Sequence, residues 1–260
     1  LMVSSVVNIV LDLTLIAGFH MGVGAAAFAT AVSQFISAVL CMIQLIRSQE
    51  EYHLCLKHIR FEWDMLKQII RFGLPSGFQN SIIAIANVVV QSNINSFGEM
   101  AMAGCGAYAK IEGFGFLPIT SFTMALTTFV GQNLGAKNYE RTKKGARFGM
   151  VCAMTIAEVI GIVIFIFAPV FIAAFDNTAE VIRFGVEKAR TAALFYFLLA
   201  YSHSISAILR GAGKSVVPMI VMMVCWCVIR VAVLTVAGFF FPSIAVVYWV
   251  YPITWTLSSA

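Results

Sequence analysis

Apolar residues run through this chain in long blocks, interrupted by short polar or glycine-bearing turns. A helix that crosses a bilayer needs roughly 20 mostly apolar residues. Eight blocks approach or exceed that length: 1–18, 23–46, 70–96, 100–130, 148–174, 184–209, 215–238 and 243–260. The connections carry turn signals. They lie at Gly18 to Gly22, Phe97 to Glu99, Gly131 to Gly145, Phe175 to Asn177, Gly211 to Gly213 and Phe241 to Ser243, with a longer polar stretch at 47–68. No block alternates polar and apolar residues with period two, as the strands of a membrane barrel would. The pattern predicts an all-α integral membrane protein, a polytopic bundle of about eight transmembrane helices.

Composition supports that class. Apolar residues make up 60% of the chain and charged residues 11%, and the mean hydropathy is +0.91. A soluble domain carries about a quarter charged residues, so this chain has too little charge to cover a water-facing surface. The charge that is present sits on one side. Arg47, Lys57, Arg60, Lys67 and Arg71 cluster in one connection, Lys137, Arg141, Lys143, Lys144 and Arg147 in another, and Arg210 and Lys214 in a third. The alternate connections hold only Arg183. Because basic loops stay on the cytoplasmic face, 47–68 and 137–147 are expected to be cytoplasmic, with the first span running outward. The net charge of +5 is then an orientation signal. A nucleic-acid partner would need one contiguous basic face, so none is expected.

The six cysteines, 41, 55, 105, 152, 225 and 227, lie mainly in apolar runs without metal-ligand spacing and read as free thiols. The N-terminus lacks the basic region and cleavage site of a signal peptide. Both ends fall inside apolar runs, so the chain is expected to be a piece of a longer one.

Polar groups inside the spans carry the candidate chemistry, since ionisable residues in a membrane mark pathways or paired sites. Asp12 stands in the first span with Asn8 four residues earlier, on one helical face. A carboxylate beside an amide offers oxygen ligands to a hard cation, or a protonation site. The competing reading pairs Asp12 with a basic residue outside this sequence. Lys110 and Glu112 lie in the fourth span two residues apart, so they point in different directions and each needs its own partner or water. Glu158 and Arg230 sit in the fifth and seventh spans, where interhelical pairing or snorkelling competes with function. The third span carries a polar file of Gln79, Asn80, Asn87, Gln91, Asn93 and Asn95. Such amides suit a wet cavity, although they more often hold helices together. Pro75, Pro118, Pro169 and Pro218 fall in or at the ends of spans and are expected to bend them.

Other chemistries are excluded. Gly213-Lys214-Ser215 ends like a phosphate-binding loop, but Ile208 stands where its first glycine belongs and no strand precedes it. No nucleophile elbow, zinc pattern or Cys/His pair is present. The four histidines, 20, 53, 58 and 203, are scattered. Neither enzymatic activity nor a cofactor is expected.

A shift of 220 residues sets Gly18 on Gly238 with apolar hairpins on both sides, a faint repeat of the kind transporters carry. Several motifs then point to one family. Asn8-x-x-x-Asp12 followed by Gly22 to Thr30, Gly73-Leu-Pro75-Ser-Gly77, Phe129 to Ala136 and Leu209 to Met219 together resemble the multidrug and toxic compound extrusion (MATE) transporters, in that family's order and spacing. The resemblance implies a twelve-helix, two-lobe transporter. Residues 1–46 would be the last two helices of the N-terminal lobe, 47–68 the cytoplasmic inter-lobe linker, and 69–260 the C-terminal lobe with its last helix truncated. It implies export of cationic or amphipathic compounds in exchange for Na⁺ or H⁺ by alternating access, by a monomer in a bacterial inner membrane surrounded by lipid. By the same resemblance Asn8, Asp12 and Thr30 would form the cation-coupling site. Lys110, Glu112, Gln79, Asn80 and Asn87 are the candidates for a second-lobe cavity. A lipid-linked oligosaccharide flippase of the same superfamily is the alternative. Such flippases line their cavity with several basic residues, and the sequence places only Lys110 and Arg230 deep in spans.

Overall fold

A computed structural model describes residues 2–49, 53–55, 60–241 and 243–260. Lys57 and His58 of the polar stretch, and Pro242 of the last turn, lie outside the described residues. All regular structure among the described residues is helical. In chain order the elements are α1 (Met2–Asp12), a π-helical segment π1 (Leu13–Gly18), α2 (Val23–Arg47), α3 (Trp63–Asn95), α4 (Glu99–Gly135), α5 (Tyr139–Ala173), α6 (Ala179–Ala193), α7 (Tyr196–Gly211), α8 (Val216–Met223), a second π-helical segment π2 (Val224–Ile229), α9 (Arg230–Phe240) and α10 (Ile244–Ser259).

Each apolar block holds one helical run. Five runs are long and apolar enough to cross a membrane: α2, α3, α4, α5 and the continuous α8–π2–α9. The α6–α7 pair makes a sixth, bent by 54°. Met2–Gly18 and the 16-residue α10 are shorter. The structure corrects three expected boundaries. α4 reaches Gly135 and α5 starts at Tyr139, so the expected loop 131–145 shrinks to three residues. Arg141, Lys143, Lys144 and Arg147 therefore ride on the first turns of α5. Lys67 and Arg71 likewise belong to α3. The physical reason is that Lys and Arg are good helix formers, so a span does not end where its apolar block ends. α4, at 37 residues, is about 55 Å long at 1.5 Å per residue and outreaches the roughly 30 Å hydrocarbon core. Third, 184–209 is not one straight span.

Turn chemistry sets the connections. Gly98 (φ +95°) ends the α3–α4 turn and Gly213 (φ +77°) the α7–α8 turn, positions in the left-handed region that a Cβ disfavours. The Asn138 side chain accepts the Arg141 backbone N–H at 3.2 Å and caps α5. At the other end of α5, the Asp176 carboxylate accepts the Thr178 N–H at 2.8 Å.

The chain forms two compact units, Leu1–Trp63 and Asp64–Ala260. In the first, α1 packs on α2. Ala25, Ala29 and Ser33, four residues apart along α2, are buried, and such small side chains let two helices approach closely in lipid. In the second unit α4, α5, α6 and α7 pack on one another, and α10 lies against α6, α7 and α9. Tyr108, Tyr196, Leu199, Ala193 and Trp255 form its main core. Val90 and Ile94 of α3 join Leu234 and Val247 in a smaller one.

Glycines also fix the crossing of α4 and α6. A Cβ on Gly104 of α4 would lie 2.5 Å from the Val181 carbonyl oxygen of α6, and one on Gly185 would lie 2.9 Å from the Gly104 carbonyl oxygen. Backbone therefore meets backbone there. Cys105 directly follows Gly104, and Lys188 comes one turn after Gly185, so the same crossing brings side chains of both helices to a common space.

Candidate functional site

That space is a cavity of about 320 Å³ inside the second unit, lined by residues of α3, α4, α6, π2, α9 and α10. Three side chains that carry charge near neutral pH reach it: Glu112, Lys188 and Arg230. Lys188 is 5% exposed and Arg230 1%. The Lys188 ammonium stands 5.5 Å from the centre of the Tyr108 ring and 5.4 Å from that of Tyr251. The Arg230 guanidinium lies 5.0 Å from the Trp226 ring and 4.8 Å from Tyr251. Aromatic faces attract cations at these distances. Arg230 Nη1 donates to Asn87 Oδ1 and Nη2 to Thr254 Oγ1, both at 3.2 Å, while its buried Nε has no partner.

Helical spacing builds the rest. Tyr108 and Glu112 are four residues apart on α4, and the Tyr108 hydroxyl makes a long hydrogen bond of 3.4 Å to Glu112 Oε1. The Tyr108 and Tyr196 hydroxyls share a hydrogen bond of 2.9 Å across α4 and α7. Glu112 forms no ion pair: among the described residues the ion pair within 4 Å is Arg60–Glu62, at 2.7 Å and outside the cavity. Two cations and one carboxylate thus face one small cavity without pairing directly.

The sequence candidates divide accordingly. Glu112 and Asn87 line the cavity, as does Gln91 of the polar file. Lys110 does not: it is exposed, since two residues of helix turn it about 200° away from Glu112. Gln79 is buried and Asn80 exposed, and neither lines the cavity. Other amides of the file serve the helix itself, with Gln91 donating to Asn95 at 2.9 Å and Asn93 to the Val89 carbonyl at 3.0 Å. Lys188 escaped the sequence reading because Glu187 and Arg190 flank it, so the start of its span looked like a polar boundary. Tyr108, Trp226 and Tyr251 carried no signal that sets them apart from ordinary core aromatics.

Glu158 has a different task. Its carboxylate accepts the Phe197 backbone N–H at 3.2 Å, at the start of α7. The break between α6 and α7 frees amides there, and a carboxylate at a helix N-terminus is favourable. Glu158 holds the bend.

In the first unit, Asn8 and Asp12 share a face of α1. Asn8 Nδ2 and Asp12 Oδ1 are buried and without hydrogen-bond partners. The helix turns π-helical directly after Asp12, a feature often found at functional sites. Thr30 is exposed on α2, and its hydroxyl donates to the Ala26 carbonyl at 2.9 Å, leaving oxygen lone pairs free to accept. Among the described residues no hydrogen bond joins the Thr30 hydroxyl to Asn8 or Asp12; the unpartnered atoms are those of Asn8 and Asp12.

Comparison with known proteins places this architecture. The MatE family model matches residues 75–236. The chain belongs to the MatE family. This MatE chain is 29% identical over 218 residues to the probable multidrug resistance protein NorM of Thermotoga maritima, a match that takes in 82% of this chain and 47% of that one. It is 24% identical to the probable multidrug resistance protein YoeA of Bacillus subtilis, over 85% of this chain and 49% of that one. The chain thus spans about half the length of the curated relatives it matches. Its fold matches, at a TM-score of 0.89 and 24% identity, the outward-facing conformation of a multidrug resistance MATE family transporter of the MOP superfamily, over 99% of this chain and 58% of that one. These relatives carry multidrug-resistance names, and the flippase alternative is not favoured.

Proposed function

We propose that this chain supplies part of a secondary antiporter that exports cationic or amphipathic compounds in exchange for Na⁺ or H⁺ by alternating access, from a bacterial inner membrane. Residues 1–46 contribute the last two helices of the N-terminal lobe, 47–68 the cytoplasmic linker and 69–260 the C-terminal lobe. The multidrug-resistance names of its relatives support the export reading. The observation that carries the coupling is the Asp12 carboxylate oxygen, buried and unpartnered beside Asn8. In a membrane such an atom is costly, and a passing cation or proton removes the cost when it binds. Asp12 is the ion-binding carboxylate, with Asn8 and Thr30 as supporting ligands. Binding then favours one packing of α1 against its neighbours over another, which is how an ion shifts a conformational equilibrium. Glu112, Asn87 and their cationic neighbours form the second-lobe cavity.

The test uses the product of the intact gene in proteoliposomes under an imposed Na⁺ or H⁺ gradient. Dye efflux should follow one of the gradients, and Asp12→Asn should abolish it with expression unchanged. Unaltered efflux in Asp12→Asn sinks the assignment.

A further inference from the structure

We infer that the cavity of the second unit is a receptor for the carboxylate of an aromatic organic acid, a substrate of opposite charge to the cations expected of the exporter. This rests on the proposed reading of the chain as part of a small-molecule exporter, and departs from it in the charge of what that exporter takes.

Charge is the first argument. The acidic and basic side chains lining the cavity are Glu112, Lys188 and Arg230, beside the neutral Cys105 thiol and Tyr251 phenol. With all three ionised the cavity holds one net positive charge, and with Glu112 protonated it holds two. A cationic ligand adds to that charge in a medium that screens poorly, whereas a monoanion lowers it in either state and neutralises it with Glu112 ionised. A dianionic phosphate overshoots when Glu112 is ionised.

Unfilled donors are the second argument. Lys188 is 5% exposed, and its ammonium carries three N–H donors. Yet none of the hydrogen bonds or ion pairs among the described residues involves it; its neighbours are the ring faces of Tyr108 and Tyr251. Arg230 has five N–H donors and uses one toward Asn87 and one toward Thr254. A carboxylate entering between them accepts from both cations. Charge-assisted bonds of this kind are about twice as strong as neutral ones.

Shape is the third. At about 320 Å³ the cavity sits at the small end of organic-ligand pockets, ~300–1,000 Å³, and a halide ion would leave most of it empty. Phe116, Trp226, Tyr251 and Trp255 also line it, and that aromatic wall suits a one- or two-ring acid.

The experiment is calorimetric titration of the intact gene product in phosphatidylcholine nanodiscs. The probes are 2-naphthoate and its cationic counterpart 2-naphthylmethylammonium, of equal ring size and opposite charge. The acid should bind at least about tenfold more tightly than the amine. Lys188→Gln should cut acid affinity by about tenfold or more, and Glu112→Gln should raise it. Equal or tighter binding of the amine overturns the inference, as does an acid affinity that neither Lys188→Gln nor Arg230→Gln changes. The wild-type ratio decides even if a variant fails to fold. If added phosphatidylglycerol abolishes acid binding, the occupant is a lipid headgroup and the inference falls. Gradient-driven dye efflux from the same preparation separates the two readings. Acid preference without efflux overturns the exporter alone, and efflux without acid preference overturns this inference alone.

Discussion

Arg230 is 1% exposed, has no carboxylate within ion-pair distance, and leaves Nε unpartnered. A buried charge in that state is a poor stabiliser, and replacing such groups by apolar side chains of similar volume is often neutral or stabilising by about 1–4 kcal/mol. Its two acceptors tolerate the loss: Thr254 already donates to the Tyr251 carbonyl at 3.0 Å, and Asn87 opens on the cavity. Arg230→Met should therefore melt no lower than wild type in a thermal-shift assay while impairing transport. A drop of more than ~5 °C, on the order of 1–2 kcal/mol or more for a domain of this size, would show that Arg230 holds the fold instead. Legibility in the sequence was uneven at this scale. Asp12, Glu112 and Arg230 stand out because charge is rare in apolar blocks. Lys188 does not, because its polar neighbours hide it, and Lys110 misleads because linear closeness to Glu112 says nothing about facing.

At the scale of elements, position depends on close backbone contact and on caps. Gly104→Val places side-chain atoms against the Val181 carbonyl and the Gly185 amide, where the first added carbon would already sit 2.5 Å from backbone oxygen. α6 must then move away from α4. Overpacking of this sort costs about 1–3 kcal/mol, and the displaced Lys188 should leave the cavity. Reduced thermal stability together with lost ligand binding would verify it; an unchanged melt would refute it. The α5–α6 turn adds a pH effect. The Thr178 N–H bonded to the Asp176 carboxylate lowers its pKa below that of an ordinary Asp. A depressed acid contributes stability above its unfolded value, near ~3.9, and loses it as pH falls through the lower folded value. Protection of the 177–180 amides, taken relative to their intrinsic exchange rates, should fall on acidification below about pH 4, and Asp176→Ala should remove that loss. Helix existence was legible from block length alone, whereas helix ends were not, since basic residues continue a helix past the lipid. The 54° bend left no mark in sequence because its cap, Glu158, comes from a different helix.

For the whole molecule, the alternation of basic and bare connections makes a topological claim. Single cysteines placed at Lys143 and Lys214 in a cysteine-free background should react with a membrane-impermeant maleimide only from the cytoplasmic side. Cysteines at His20 and Asp176 should react only from outside. Labelling of Lys143 and Asp176 positions from one side would break the eight-span order. The expectation rests on the positive-inside rule, a sum over many residues, so an error in any single boundary does not upset it.

Each π-helical segment adjoins a charged residue: π1 begins right after Asp12, and π2 ends right before Arg230. Each such segment holds a residue that a regular α-helix lacks room for. Removing one residue from Val224–Ile229 would let the run relax to α-geometry, and would swing everything beyond it by about 100° about the helix axis. Arg230 would then leave the wall it shares with Asn87 and Thr254 without being mutated itself. In this lineage, then, segment length must be inherited as faithfully as the arginine, and tolerated insertions and deletions should gather in the connections between helices.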